Sequence, residues 1–260
     1  MMRFFNRRIH KAVSDLDTVE VSEQKGIRYL HLGNDTVQSA MRISAPNALE
    51  LTYTQAMLGF LLLAETPPNN TMLIGLGGGS LTKFLYHQFP SMQLTAVEIN
   101  SRIIHAARQF FFVPDDDARL HIAQADAAKF IVGQAGWDCI LLDGFDAAFQ
   151  VEALASQDFY NHCAQALSPC GILSVNLWGS DPKFDIYLQR LTEVFDQRIM
   201  CLPAEKRGNV IVFAFATQPT LASSTALQQR AQQLQMQLGL PFVDFLERLK
   251  TTSGNADFFN

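Results

Sequence analysis

A run of glycines is the first place in this sequence where chemistry is expected. Gly75, Gly77, Gly78 and Gly79 follow an apolar stretch, and Ser80 opens a stretch with helical spacing. Without side chains such a turn can be tight, a ligand can approach the backbone, and the following helix presents free amides. We therefore predict that these five residues bind a nucleotide. The alternative is a plain tight turn from a strand into a helix.

The spacing of these glycines narrows the kind of nucleotide. A nicotinamide dinucleotide site prefers the pattern Gly-x-Gly-x-x-Gly. Counted from Gly75, the third glycine of that pattern would fall on Ser80, so the match is imperfect. The turn indicates a nucleotide without indicating a dinucleotide.

Two acidic residues follow the next two predicted strands. Glu98 ends the second strand, where a carboxylate can accept hydrogen bonds from both hydroxyls of a ribose. Asp126 comes just after the third strand, where it or its neighbouring amide can meet an adenine amine. For Asp126 the alternative is a helix cap over residues 127–132. We predict that both residues bind the nucleotide.

A pair of carboxylates, Asp143 and Asp146, stands on the loop after the fourth predicted strand. An alkyl amine is almost wholly protonated at neutral pH, and exposing its lone pair costs about 4 kcal/mol. A positioned carboxylate can hold the ammonium, orient it and accept its proton as attack proceeds. We predict these residues to be catalytic toward a cationic substrate; the alternative for Asp143 is a turn or cap residue.

The remaining candidates carry less weight. Trp178 follows the fifth predicted strand and is predicted to roof the crevice against the substrate, although a packing role is equally consistent. The histidines within predicted helices are more typical of surface or core positions than of bases. The four cysteines show no Cys-x-x-Cys pair and no histidine at ligand spacing, so no metal site is predicted.

These candidates follow successive strands because strands and helices alternate along the chain. Such alternation predicts a doubly wound, Rossmann-like α/β fold with a mostly parallel sheet, whose ligand crevice lies at the carboxyl ends of the strands. A hairpin closes the sheet, and a last helix with leucines at helical spacing packs outside it. The predicted strands are residues 71–74, 93–97, 120–122, 137–142, 172–176, 199–202 and 210–216.

A smaller unit precedes this domain. Between residues 19 and 43 short alternating stretches are separated by Gly26 and by Gly33-Asn34-Asp35, which are hairpin signals. We predict a small antiparallel β domain over residues 1–46 and the nucleotide-binding catalytic domain over residues 47–260.

Composition excludes several classes of function. The chain has 260 residues and a formal net charge of −5, so no bulk positive field attracts nucleic acid. No stretch approaches the roughly 18 apolar residues of a membrane span, and no signal-peptide pattern opens the chain. We expect a cytoplasmic protein that binds neither nucleic acid nor membrane.

The combination of three motifs resembles the spermidine synthase family, the polyamine aminopropyltransferases, in its divergent spermidine-synthase-like branch. The resemblance covers most of the chain, including the small β unit and the segment Leu51-Thr52-Tyr53-Thr54-Gln55. The motifs are Leu73-Ile74-Gly75-Leu76-Gly77-Gly78-Gly79-Ser80, Val97-Glu98-Ile99-Asn100 and Leu141-Leu142-Asp143-Gly144-Phe145-Asp146.

The resemblance implies a fold of the S-adenosylmethionine methyltransferase type and transfer of an aminopropyl group from decarboxylated S-adenosylmethionine to a putrescine-like amine. It implies that Glu98 binds the ribose, that Asp126 binds the adenine, and that Asp143 is the catalytic acid and base. Gln38 would line the cofactor pocket and Tyr53 the substrate pocket. Family members usually form dimers or higher oligomers, so we expect a homodimer.

The departures from the family pattern leave two alternatives open. The family turn usually reads Gly-Gly-Gly-Asp-Gly, and we place Ser80 at its aspartate, which holds the aminopropyl ammonium. The alternatives are a methyltransferase that uses intact S-adenosylmethionine, whose carboxylate Ser80 would tolerate, and a nucleoside-binding protein without catalysis.

Overall fold

The first part of the chain is an antiparallel sheet with the strand order β1-β2-β3-β4. The computed structural model describes residues 7–13, 18–34, 36–145, 151–205 and 208–259. The four strands are β1 (Arg7–Val13), β2 (Thr18–Gln24), β3 (Ile27–Leu32) and β4 (Val37–Arg42).

Strand β1 was not predicted, because the hairpin signals of the small unit begin only at residue 19. In the structure it is an edge strand on which Arg8 pairs with Glu20 of β2 at 2.7 Å. The domain boundary at residue 46 stays a prediction. It falls between the end of β4 and the first helix, which begins at Thr52.

The rest of the chain builds a seven-stranded sheet with the order β10-β11-β9-β8-β5-β6-β7. Strands β7, β6, β5, β8 and β9 run parallel, and β11 runs antiparallel to both of its neighbours. The strands are β5 (Asn70–Ile74), β6 (Gln93–Glu98), β7 (Leu120–Gln124), β8 (Trp137–Leu142), β9 (Leu167–Trp178), β10 (Ile199–Pro203) and β11 (Asn209–Phe215).

This order confirms the doubly wound fold. The chain moves outward from β5 to β6 and β7, then crosses back to place β8 on the other side of β5. The strand order therefore reverses between β5 and β8, and a sheet of this kind opens its ligand crevice at that switch point.

Helices cover both faces of the seven-stranded sheet. Successive strand residues point to opposite faces, so Leu73 belongs to one apolar cluster and Ile74 to the other. Among the described residues no helix is both long and apolar enough to cross a membrane. The helices are α1 (Thr52–Met57), α2 (Phe60–Leu63), α3 (Ser80–Gln88), α4 (Ser101–Phe111), α5 (Ala127–Phe130), α6 (Gln157–Ala166), α7 (Phe184–Val194), α8 (Ser224–Leu238), α9 (Phe242–Thr251) and α10 (Ala256–Phe259).

One predicted helix is broken in the structure. Apolar residues at helical spacing predict one helix from Tyr53 to Ala64, and the structure has two short helices there, α1 and α2, separated at Gly59. A Cβ on Gly59 would lie 2.9 Å from the ring of Phe213 on β11, so the chain approaches the sheet too closely for a side chain there. The apolar residues do lie on helices, as their spacing predicts. Apart from Gly59 itself, nothing in the sequence indicates the close approach that separates the two helices.

Lys83 joins the small sheet to two helices of the larger domain. Its side chain lies on α3 and is only 1% exposed. Its ammonium donates to the carbonyl of Phe111 at 2.6 Å, to the carbonyl of Pro46 at 2.7 Å and to the sulfur of Met41 at 3.1 Å. The three acceptors belong to the end of α4, to the linker and to β4, so one side chain ties three segments together.

We expect Lys83→Ala to lower the free energy of unfolding by about 2–4 kcal/mol, because two buried carbonyls lose their donor and a cavity remains. For a chain of this size the melting temperature should fall by about 4–8 °C. Thermal unfolding followed by circular dichroism measures the change. Lys129→Ala is the control, because Lys129 is 86% exposed on α5, and an equal fall in both variants would contradict this account.

Candidate nucleoside and amine site

A cleft opens at the carboxyl ends of β5, β6, β7 and β8. It brings together residues that the sequence predicted from four separate strand ends, with a further residue from the small sheet. The predicted residues that line it are Gly75, Gly77, Glu98, Asp126, Asp143 and Gln38. Their apolar neighbours include Ile99, which is 52% exposed and free to contact a flat ring.

The backbone conformation and the close packing of the turn both require glycine. Gly75, Gly77 and Gly79 have φ values of +91°, +54° and +67°, a region that side chains disfavour. A Cβ on Gly75 would lie 2.2 Å from the carbonyl oxygen of Asp143, and one on Gly79 would lie 2.2 Å from Val113. The turn therefore packs directly against the loop that carries Asp143.

The structure places the glycine turn directly after β5. Strand β5 ends at Ile74, so Gly75 is the first residue of the turn and Gly78 is the fourth. The match of Ser80 to the family aspartate stays a prediction. Ser80 is the first residue of α3, and its hydroxyl oxygen lies 3.3 Å from that of Ser39 on β4. Its contact with a cofactor stays a prediction.

Glu98 is held by backbone amides around the turn. It is 7% exposed, and its two oxygens accept from the amide of Leu76 at 3.1 Å and from that of Asn100 at 2.9 Å. Burial raises the pKa of Glu98, and hydrogen bonds from Asn100, Leu76, Gly77 and Ile99 counter the rise. Of these amides, those of Leu76 and Asn100 lie at the hydrogen-bond distances given above. A carboxylate has about four acceptor positions, so beside these two bonds the oxygens can accept from two ligand hydroxyls.

Asp126 combines both predicted roles in one position. Its carboxylate caps α5 by accepting from the amide of Ala128 at 3.0 Å, and Lys129 lies 3.5 Å away. The residue also lines the cleft. The cap is therefore observed, and the contact with adenine stays a prediction.

Two side chains among the described residues donate hydrogen bonds to Asp143. The hydroxyl of Tyr53 donates to one carboxylate oxygen at 3.2 Å, and the amide of Asn176 donates to the other at 2.9 Å. Burial raises the pKa of Asp143, and the hydrogen bonds from Asn176 and Tyr53 oppose that rise. Burial first, and then the charge of Asp143, raise the pKa of Tyr53 well above its ordinary value, so its hydroxyl remains a donor.

Two polar residues at this site were missed. Asn176 is 1% exposed in β9, and its side-chain oxygen accepts from the amide of Asn209 at 2.9 Å. The sequence carries a signal for Asn176, because this polar residue ends an apolar predicted strand, as Glu98 does. Asn209 had no such signal, because antiparallel pairing of β11 with β9 is what brings it to the site.

The other predicted substrate residues lie at the edge of this arrangement. Tyr53 and Trp178 are not part of the cleft lining, although Tyr53 contacts Asp143 directly. Trp178 ends β9, is 39% exposed and is the register partner of Asn209. Asp146 lies outside the described residues, so its catalytic role stays a prediction.

This geometry supports a definite kind of chemistry. The cleft lining includes the carboxylates of Glu98 and Asp126, the backbone of Gly75 and Gly77, and the hydrogen-bonded carboxylate of Asp143. A buried carboxylate next to a nucleoside pocket can take a proton from a substrate that attacks the nucleoside's substituent. The fold and the cleft define a doubly wound α/β protein with a buried carboxylate in its ligand crevice.

Comparison with known proteins shows the family to which this chain belongs. Residues 50–220 match the model of the spermine/spermidine synthase domain. A polyamine aminopropyltransferase of Chromobacterium violaceum is 41% identical over 253 residues, which cover 97% of each chain. The chain therefore belongs to the spermine/spermidine synthase family and is an enzyme.

Solved structures agree on the fold. A probable spermidine synthase from Corynebacterium glutamicum superimposes with a TM-score of 0.72 at 18% identity, over 85% of this chain and 86% of the other. Human methyltransferase-like protein 13, in complex with SAH, gives a TM-score of 0.64 at 27% identity, over 74% and 94% of the two chains. Synthases and methyltransferases thus share this sheet.

Proposed function

We propose that this enzyme moves an aminopropyl group from decarboxylated S-adenosylmethionine to a small amine of the putrescine type. The observation that carries the proposal is the position of Asp143, held by Tyr53 and Asn176 in the same cleft as Glu98. The nearly full-length similarity to a polyamine aminopropyltransferase supports the choice of group and acceptor.

In the proposed reaction the acceptor enters as an ammonium and pairs with the carboxylate of Asp143. As the proton moves to Asp143, the amine lone pair attacks the aminopropyl carbon attached to sulfur. The new carbon–nitrogen bond forms while the carbon–sulfur bond breaks, and sulfur keeps the electron pair as a neutral thioether. The products are the longer polyamine and methylthioadenosine, and the proton then leaves Asp143 to solvent.

The cofactor would lie along the residues that already line the cleft. Glu98 would accept from the ribose hydroxyls, Asp126 would receive the adenine amine, and Gln38 would close the pocket from the small sheet. The open backbone of Gly75 and Gly77 lets the sulfur end approach Asp143. The chemistry uses a sulfonium leaving group and polar side chains, and the proposal includes no metal.

The test is release of methylthioadenosine when the purified protein receives decarboxylated S-adenosylmethionine and a diamine. We expect stoichiometric methylthioadenosine and alkylated amine. Absence of both products with a series of diamines, together with turnover of intact S-adenosylmethionine, would overturn the proposal.

A methyltransferase is the second candidate, and one observation favours it. Gly78 stands at the fourth place of the turn, so the turn offers no carboxylate to repel that of intact S-adenosylmethionine. The likeness to human methyltransferase-like protein 13 agrees with it. Calorimetry with both cofactors separates the candidates, since aminopropyl transfer requires tighter binding of the decarboxylated form. Tight binding of methylthioadenosine without turnover of either cofactor would indicate a non-catalytic nucleoside-binding protein.

We further propose that the enzyme works as a homodimer in the cytoplasm, as the family resemblance implies. Sedimentation equilibrium tests the first part directly. A single species with the mass of two chains is expected, and a monomer throughout the micromolar range would contradict it.

We expect Tyr53→Phe to reduce kcat/KM about tenfold near neutral pH. Asp143 then loses one of the hydrogen-bond donors that counter the effect of burial on its pKa. The acid limb of the pH profile should move upward, since the pKa of Asp143 rises. Tyr86→Phe is the matched control, because the Tyr86 hydroxyl donates to Asp117 at 2.7 Å outside the cleft. An unchanged profile in Tyr53→Phe would show that the hydroxyl does not act on Asp143.

A further inference from the structure

A pair of amides leads away from Asp143 toward the surface. The Asn176 amide nitrogen lies 2.9 Å from Asp143, and the Asn176 oxygen lies 2.9 Å from the amide nitrogen of Asn209. Asn176 is buried, whereas Asn209 is half-buried at the start of β11. The two amides connect the reacting carboxylate to the hairpin formed by β10 and β11.

The chemistry of the first amide fixes the direction of this connection. An ionised carboxylate only accepts hydrogen bonds, so Asn176 must turn its NH2 group toward Asp143. Its oxygen then faces Asn209, which must present its own NH2 group. An Asn176 amide rotated by half a turn would point its oxygen at Asp143 and would favour the protonated acid.

We propose that Asn209 is a positioning residue that fixes the orientation of the Asn176 amide and so keeps Asp143 ionised and correctly aimed. The inference rests on the proposed role of Asp143 as the group that accepts the amine proton. Asn209 itself touches Asn176 and not Asp143, so it acts through its neighbour.

The surroundings explain why such a device is useful. Burial favours the neutral form of Asp143, and the two side-chain donors that the described residues provide must offset this. Tyr53 supplies a hydroxyl that can rotate and that also lies 3.4 Å from the carbonyl of Gln38. Asn176 supplies a planar amide, which gives a fixed direction only if its other end is held.

The hairpin also holds Asn209 in place. The carbonyl of Asn209 accepts from the amide of Ala204 at 2.8 Å, which closes the loop between β10 and β11. On the same loop Glu205 accepts from the hydroxyl of Thr52 at 2.5 Å, at the first residue of α1. A substitution at Thr52 can therefore loosen the loop while the hydrogen bond between Asn209 and Asn176 is kept.

The experiment measures the pKa of Asp143 directly, by carbon NMR of its carboxyl group, in the wild type, Asn209→Ala and Asn209→Asp. We expect the pKa to rise by about one unit in Asn209→Ala, the size of one hydrogen bond to a charged group. Asn209→Asp should raise it further, because its carboxylate attracts the NH2 group of Asn176 away from Asp143. The acid limb of kcat/KM should move by the same amounts while the rate at high pH recovers.

Thr52→Val is the control, since it releases Glu205 and loosens the loop without touching the amide pair. It should leave the pKa of Asp143 unchanged. An unchanged pKa in both Asn209 variants, with or without lost activity, would overturn the proposal. The NMR titration needs no substrate, so it gives a result even if aminopropyl transfer itself is disproved.

Discussion

Asp143→Asn is expected to lower kcat/KM by about a thousandfold while leaving nucleoside affinity within about threefold, since general-base catalysis contributes about 10²–10⁴. Asparagine fits the same space and can still meet the hydroxyl of Tyr53. It cannot accept the proton of the attacking ammonium, and it lacks the charge that attracts that ammonium. Steady-state kinetics with a diamine and calorimetry with methylthioadenosine measure the two effects separately.

A matched control lies at the other end of the same strand. Asp138 on β8 accepts from the amides of Asn69 and Asn70 and from the hydroxyl of Ser168, far from the cleft. Asp138→Asn should lower stability without a selective loss of catalysis. Activity within tenfold of the wild type in Asp143→Asn would show that another group accepts the proton.

Glu98→Gln is expected to weaken binding of methylthioadenosine by about a hundredfold or more, because two hydrogen bonds to a charged acceptor contribute about 3 kcal/mol or more together. One oxygen becomes an NH2 group that opposes a backbone donor, either Leu76 or Asn100. The glycine turn then loses part of its anchor as well as its ribose acceptor. We expect the melting temperature to fall alongside the affinity.

Glu50→Gln provides the comparison for this variant. Glu50 is also a charged acceptor, but it binds Arg42 through both oxygens and lies outside the cleft lining. Calorimetry should give wild-type affinity for Glu50→Gln. Wild-type affinity in Glu98→Gln as well would mean that the nucleoside does not lie along the end of β6.

Much of the fold was accessible from local pattern. The pattern predicts a helix over residues 80–88 and a strand over residues 137–142, and these bounds are those of α3 and β8. A glycine turn precedes α3, and charged or turn residues flank β8. Strand β1 was not recognised, since an edge strand with exposed arginines has no apolar face to reveal it. The helix α9 was also missed, although its apolar spacing places Phe242, Phe245 and Leu249 in the core.

The site was predictable where single strands end and not where distant strands meet. Glu98, Asp126 and Asp143 each follow a parallel strand, so the fold rule alone brings them to one crevice. Asn209 reaches Asn176, the neighbour of Asp143, only through the pairing of β11 with β9, which no local pattern encodes. The first residue of the glycine turn also needed the observed end of β5 at Ile74, because the apolar pattern alone does not fix where the strand ends.

The most direct test of the central claim is a single reaction that contains the enzyme, an equal mixture of intact and decarboxylated S-adenosylmethionine, and one diamine. Mass spectrometry then identifies the amine product. We expect an aminopropylated amine with methylthioadenosine as the coproduct, and loss of both in Asp143→Asn. A methylated product with S-adenosylhomocysteine, or the same yield from Asp143→Asn, would contradict it.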